Sequence, residues 1–183
     1  MVGLLLLLLS SAPAGPFDDV PETALVDRVV ATVDRDLVLA SEIVLGRELA
    51  ALDPGPLPFW SRSIDPTEQR IDATLIRTAA SDIALYQPTT GEVANRLETV
   101  RAAFVDRLAW EAFLGRHGLD ELTLSEELKR RMVVERFLAR NLTVDAADRG
   151  AWFAAVEALM EGLRPRYRIR RIPVEAPREP EAL

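Results

Sequence analysis

Hydrophobic and polar positions change their period along the chain, and the changes mark out its elements. Leu4 to Leu9 form an unbroken apolar run closed by Ser-Ser-Ala-Pro-Ala. Gly15 to Ala24 is a short polar leader. From Leu25 to Val33 β-branched residues dominate, and Val29, Ala31 and Val33 share one face at period two. Asp34-Arg35-Asp36 reads as a turn and Leu37-Val38-Leu39 as its returning strand, which together predict a short hairpin. Ser41 is placed to cap a helix running from Glu42 to about Leu52. Asp53-Pro54-Gly55-Pro56-Leu57-Pro58 then excludes helix and central strand alike, and Phe59 and Trp60 fall in the same loop.

A helical period governs the middle of the chain. Asp65-Pro66-Thr67-Glu68 supplies an N-cap, a proline at the first helical position and an acid in the first turn. Ile71, Leu75, Ala79, Ile83 and Tyr86 continue that period as far as Pro88. Thr89 to Glu92 forms a capping box ahead of a stripe of Val93, Leu97, Val100 and Phe104. Asp106 starts a further helix carrying Trp110, Phe113, Leu114 and His117 on one side, with Gly118 as terminator. A second box, Thr123 to Glu126, opens a helix to about Arg140. Its apolar residues, among them Leu124, Leu128, Val133, Val134, Phe137 and Leu138, surround most of the axis, the pattern of a helix buried between layers. Thr143 is the expected cap of the last helix, which carries Trp152, Val156, Leu159 and Leu163.

After Pro165, Tyr167 to Val174 alternates as a strand with no neighbour in sequence. Its backbone groups need a partner, and the hairpin at Val26 to Leu39 is the one available. The expected fold class is therefore mainly α with a small β-sheet, the N-terminal hairpin and C-terminal strand paired beside a multi-helix body. This domain spans 25–174, with a disordered tail at 175–183.

Composition narrows the functions open to this fold. The chain has 183 residues, 49% of them hydrophobic, enough for one domain with a substantial core. A formal charge of −7 disfavours general nucleic-acid binding, which draws on basic groups meeting phosphates. There is no cysteine, which excludes disulfides, thiolate metal sites and cysteine nucleophiles. The leucine run is far short of the roughly 20 residues that span a bilayer. It reads as a secretory signal peptide over 1–14, cleaved after Ala12-Pro13-Ala14, although its leading segment lacks Lys or Arg. Export without cysteine suits the periplasm, with no stable membrane insertion expected.

Catalytic patterns are sparse. Neither GxGxxG, GxxxxGK[ST] nor GxSxG occurs. The single histidine, His117, reads as a helix C-terminal residue and not a base. Asn141-Leu142-Thr143 matches a glycosylation acceptor. Arg164, Arg166, Arg168, Arg170 and Arg171 form the one strongly basic stretch, read here as solvated strand residues pairing acids on the body, with an anion or acidic-partner site as the functional alternative. No catalytic, metal or cofactor-binding residue is assigned. The aromatics Phe59, Trp60, Trp110, Phe113, Trp152 and Phe153 are core candidates. The pair at 59 and 60 would form a contact patch if exposed.

The segment Val26-Asp27-Arg28-Val29-Val30-Ala31-Thr32-Val33-Asp34-Arg35-Asp36-Leu37-Val38-Leu39-Ala40-Ser41-Glu42 resembles the opening of SurA-type chaperones. Ala73-Thr74-Leu75-Ile76-Arg77, Leu122 to Leu138 with its Val-Val-Glu-Arg-Phe-Leu ending, and the closing Arg-Ile-Arg-Arg-Ile-Pro-Val resemble later parts of the same family, in order, over Val26 to Val174. The resemblance implies an ATP-independent periplasmic chaperone of unfolded or partly folded envelope and secreted polypeptides, needing no cofactor. It also implies that the terminal strands pair. Relatives carry a parvulin prolyl-isomerase domain after this point. Only nine residues follow Val174 here, so no enzymatic activity is expected. Candidate client contacts are Phe59, Trp60, Trp110, Phe113 and Phe137. The alternative is an envelope scaffold or adaptor of the same fold bound to one dedicated partner.

Overall fold

Residues 27–173 are described by the structure, a computed structural model. The signal peptide, the leader and the tail expected from sequence lie outside these residues.

β1 (Val29–Val33) and β2 (Asp36–Leu39) form the expected antiparallel hairpin, and β3 (Ile169–Arg171) adds to the other side of β1. The sheet order is β2-β1-β3, so the early strand is central and the last strand is its neighbour. Ala31 faces Arg171 and Val33 faces Ile169. The register of β1 against β2 shifts between Val29 and Ala31, a bulge that turns Val30 as well as Ala31 inward. β3 is shorter than the strand expected over Tyr167 to Val174. Its ladder is lengthened by Ile172 N–H donating to Val30 O and Asp34 N–H donating to Arg168 O, both at 2.8 Å.

Among the described residues six helices make the body: α1 (Ala40–Leu52), α2 (Pro66–Ala80), α3 (Thr90–Ala102), α4 (Arg107–Arg116), α5 (Glu121–Asn141) and α6 (Arg149–Leu163). The protein is thus mainly α with a small three-stranded antiparallel sheet. Three caps stand where the sequence placed them. Asp65 accepts from the Thr67 and Glu68 amides, Thr89 and Glu92 form a reciprocal box, and Asp106 accepts from the Ala109 amide.

Elsewhere the boundaries differ, each for a local reason. Ser41 does not cap α1. The helix starts two residues earlier, at Ala40, Glu42 accepts the Leu39 amide at 3.1 Å, and the Ser41 hydroxyl turns to Asp27. α2 stops at Ala80 instead of running on to Tyr86. Ser81 bonds back to the Thr78 carbonyl at 3.1 Å, an alternative to the helical ladder, and a short 3-10 turn at Ala84–Tyr86 follows. Asp120, not Thr123, caps α5, accepting the Thr123 amide at 2.7 Å, so the helix gains most of a turn. Asp148, not Thr143, caps α6.

The helices enclose two apolar cores. The larger holds the sheet, the 3-10 turn at Pro58–Ser61, α2, the second half of α5 and α6. The smaller holds Leu45 and Leu49 of α1, Val100 of α3, Trp110 and Phe113 of α4, and Leu124 and Leu128 of α5. α5 contributes buried residues to both, which accounts for the apolar residues spread around its axis.

Candidate functional site

The five candidate client contacts are all buried, so they do not form a client surface. Phe59 is fully buried and packs edge-on against Trp60 at 4.8 Å. Trp60 is buried because its indole N–H reaches Glu135 Oε1 at 2.9 Å, and the Arg131 guanidinium lies over its ring at 4.0 Å. Phe137 packs on Tyr86 in the same core. Trp110 and Phe113 belong to the second core, where both meet Phe104. Three residues in one core and two in the other cannot share one face. The loop pair in particular is not the exposed patch that its proline-rich setting allowed.

Beside Trp60 lies a feature the sequence did not disclose. Glu127, Arg131 and Glu135 recur every four residues on α5 and are all buried. Arg70 of α2 grips Glu127 with both terminal nitrogens, at 2.5 and 3.2 Å, and reaches Glu42 at 2.8 Å. Arg96 of α3 joins Asp53 at 2.5 Å to Glu135 at 3.2 Å. Burial and the Arg70 charge oppose each other at Glu127, and Arg70 prevails, holding the carboxyl below its ordinary range. At Glu135 burial prevails over Arg96 and pushes the carboxyl up. Arg131 donates to the Asp53 carbonyl at 3.0 Å, its Nε and Nη1 have no partner among the described residues, and burial pulls its pKa down to about 10.

A second buried group lies nearby. Asp72, fully buried on α2, accepts from Arg62 at 3.1 Å and from Arg164 at 2.8 Å, and Arg62 also bonds Glu157. Burial raises Asp72 despite both cations. These networks clamp the 53–62 loop and the end of α6 to α2 and α5. Every carboxylate in them is engaged by arginine or indole donors, and no arrangement of nucleophile, base and open substrate space results. Among the described residues no group of three or more His, Asp or Glu could hold a metal ion, and no helix is long and apolar enough to cross a membrane.

His117 stands at the C-terminus of α4 as expected, packed edge-on to Phe113, with Nε2 3.2 Å from Glu48. The Asn141 amide donates to the Phe137 carbonyl at 2.8 Å, a helix bond at the glycosylation-like triplet. Of the basic stretch, Arg164 and Arg171 pair with Asp72 and Glu68 on the body.

The large exposed apolar side chains lie elsewhere. Val105, Leu108 and Leu122 are 90%, 71% and 72% exposed. They sit in the α3–α4 junction and in the first turns of α4 and α5. Glu121 ties the start of α5 to α4 and to the last turn of α3, accepting from the Trp110 indole at 3.0 Å and pairing with Arg101 at 3.6 Å. Periodicity could not reveal this corner, because all three residues fall off the buried stripes. Comparison with known protein families, with curated proteins and with solved structures finds no match to this chain.

Proposed function

We propose that this protein is an exported, ATP-independent chaperone domain of the SurA N-terminal kind, holding unfolded envelope or secreted polypeptides without isomerase chemistry. The observation that carries the reading is the exposure of Val105, Leu108 and Leu122 on segments that Glu121 links over a well-packed base. Full burial of three aliphatic side chains against a client is worth roughly 5–9 kcal/mol gross. Association takes back an estimated 4 kcal/mol or more. The remainder gives weak, reversible binding, which a holdase needs in order to release its client. The acidic surface keeps such complexes dispersed. Pairing of the first and last strands, a consequence of their backbone groups, agrees with the family resemblance.

The test is suppression of aggregation of an unfolded outer-membrane protein by the purified chain at stoichiometric ratios. Suppression that falls several-fold in the Val105→Ser/Leu108→Ser/Leu122→Ser variant is the expected result. A folded protein that gives no suppression, or a triple variant as effective as the parent, overturns the reading. The first of these outcomes leaves an adaptor with one dedicated partner as the successor.

A further inference from the structure

A cavity of about 800 Å³ opens at the tip of the β1–β2 hairpin. The hairpin turn, Thr78 in the last turn of α2 and the Pro165–Arg168 segment leading into β3 meet there. The volume lies within the range of small-molecule sites, about 300–1,000 Å³. Arg35, Arg166 and Arg168 line it, and none of the three has a carboxylate partner among the described residues. Neighbouring arginines do have one: Arg77 holds Asp36 at 3.0 Å, and Arg171 holds Glu68 at 2.6 Å. The two acids of the cavity wall are already engaged. Asp34 Oδ1 accepts the Arg168 backbone N–H at 2.7 Å, and Asp36 accepts from Arg77 and, at 3.1 Å, from the Thr78 hydroxyl. In a chain of formal charge −7, this wall reverses the prevailing sign.

The wall is also built rather than incidental. Asp34 is the one non-glycine residue in the left-handed region among the described residues, with φ 52°. That conformation is worth roughly 1–2 kcal/mol of strain. It lets Asp34 bond Arg168 twice, through its amide and its carboxylate. The double bond fixes the hairpin turn to a segment 134 residues away and so sets Arg35 beside Arg166 and Arg168.

We propose that this groove binds a phosphate-class oxyanion, carried by a soluble phosphate compound or by an anionic lipid headgroup. A carboxylate has two oxygens and one charge, too few for three guanidinium forks. A phosphate monoester offers three terminal oxygens and up to two charges, which three arginines match. Tyr167 also lines the groove. The site is separate from the apolar corner and stands whether or not that corner holds clients.

Two probes test it on the full chain, with the ionic strength held constant by chloride. The first is inorganic phosphate, followed through the backbone amide shifts of residues 34–36 and 166–168. The second is flotation with phosphatidic acid vesicles, whose headgroup is a phosphate monoester, using phosphatidylcholine vesicles as the neutral control. Saturable shifts that weaken at least tenfold in Arg35→Ser/Arg166→Ser/Arg168→Ser, and persist in Arg107→Ser, are expected. All three arginines are exposed, so the variant keeps its fold. Arg166→Ser alone, expected to weaken binding about threefold, serves should the triple variant unfold. Binding to anionic vesicles that phosphate competes away assigns the lipid source, and phosphate binding without vesicle binding assigns the soluble one. The absence of saturable binding to both probes, or equal binding by the arginine variants, overturns the proposal.

Discussion

Replacing Glu127 with leucine isolates the energetics of the buried charges. Glu127 is 5% exposed, and the guanidinium of Arg70 closes on it in a two-pronged bond. Without the carboxylate, Arg70 keeps only Glu42 as a counter-charge, and it remains deeply buried. Removing one partner of a buried pair costs about 3–5 kcal/mol. The surviving Glu42 contact argues for the lower end, about 3 kcal/mol. For a domain of this size that corresponds to roughly 6–12 °C in Tm. The double variant Arg70→Met/Glu127→Leu leaves no buried charge without a counter-charge, since Arg131 keeps Glu135 and Asp53 and the half-exposed Arg130 is hydrated. Glu42, partly exposed, becomes hydrated and still accepts the Leu39 amide. The double variant is therefore expected to lie within about 1.5 kcal/mol of the parent, a coupling of at least 1.5 kcal/mol in a urea double-mutant cycle. Glu127 is held below its ordinary range, so its contribution is present at neutral pH and fades as pH falls through that lowered value. A single variant that loses less than 1 kcal/mol, or a double variant no better than the sum of its parts, would refute the reasoning.

Two further perturbations read the same region. Gly55 has φ 76°, and a Cβ built there falls against Glu135 Oε1 and lies 3.1 Å from Arg96 Nη2. Gly55→Ala is expected to destabilise by about 2–4 kcal/mol through backbone strain and displaced charges, with altered Trp60 fluorescence; stability within 0.5 kcal/mol of the parent (by the approximate error of urea titration) contradicts this packing. Glu135→Gln keeps an acceptor for the Trp60 indole but cannot ionise. Because burial raises Glu135 in the folded state, the parent binds more protons folded than unfolded between the ordinary and the raised value, so its stability relative to Glu135→Gln falls as pH rises through that window. A flat or rising difference in unfolding free energy across the window refutes the raised pKa.

The elements the sequence disclosed were those fixed by local chemistry. Asp65, Thr89 and Asp106 cap their helices because the bonds they accept lie within three residues. The pairing of β3 with β1 followed from unsatisfied backbone groups, whatever the side chains. The α2 boundary was missed because Ile83 and Tyr86 obey the helical period although Ser81 has already taken up a terminal carbonyl. Glu127, Arg131 and Glu135 were not legible as core. Alternating charges four apart look like a solvated stripe until Arg70, Arg96 and Trp60 arrive from other elements. Trp60 escaped for the converse reason, since nothing near it in sequence announces its acceptor. The apolar corner and the basic groove depend on which surfaces remain uncovered, and residue periodicity carries no record of that.

The place of β1 at the centre of the sheet sets an order of events in time. Its partner β2 follows within a few residues, but β3 emerges only after more than a hundred more have been made. Closing a loop of that length costs about 4 kcal/mol in chain entropy, against a strand of three residues. Docking of β3 on β1 is therefore a late step in closing the fold. Throughout synthesis one edge of β1 stands bare, an open template for other chains. The nascent protein thus carries, for as long as it is being made, a bare strand edge on which other chains can pair.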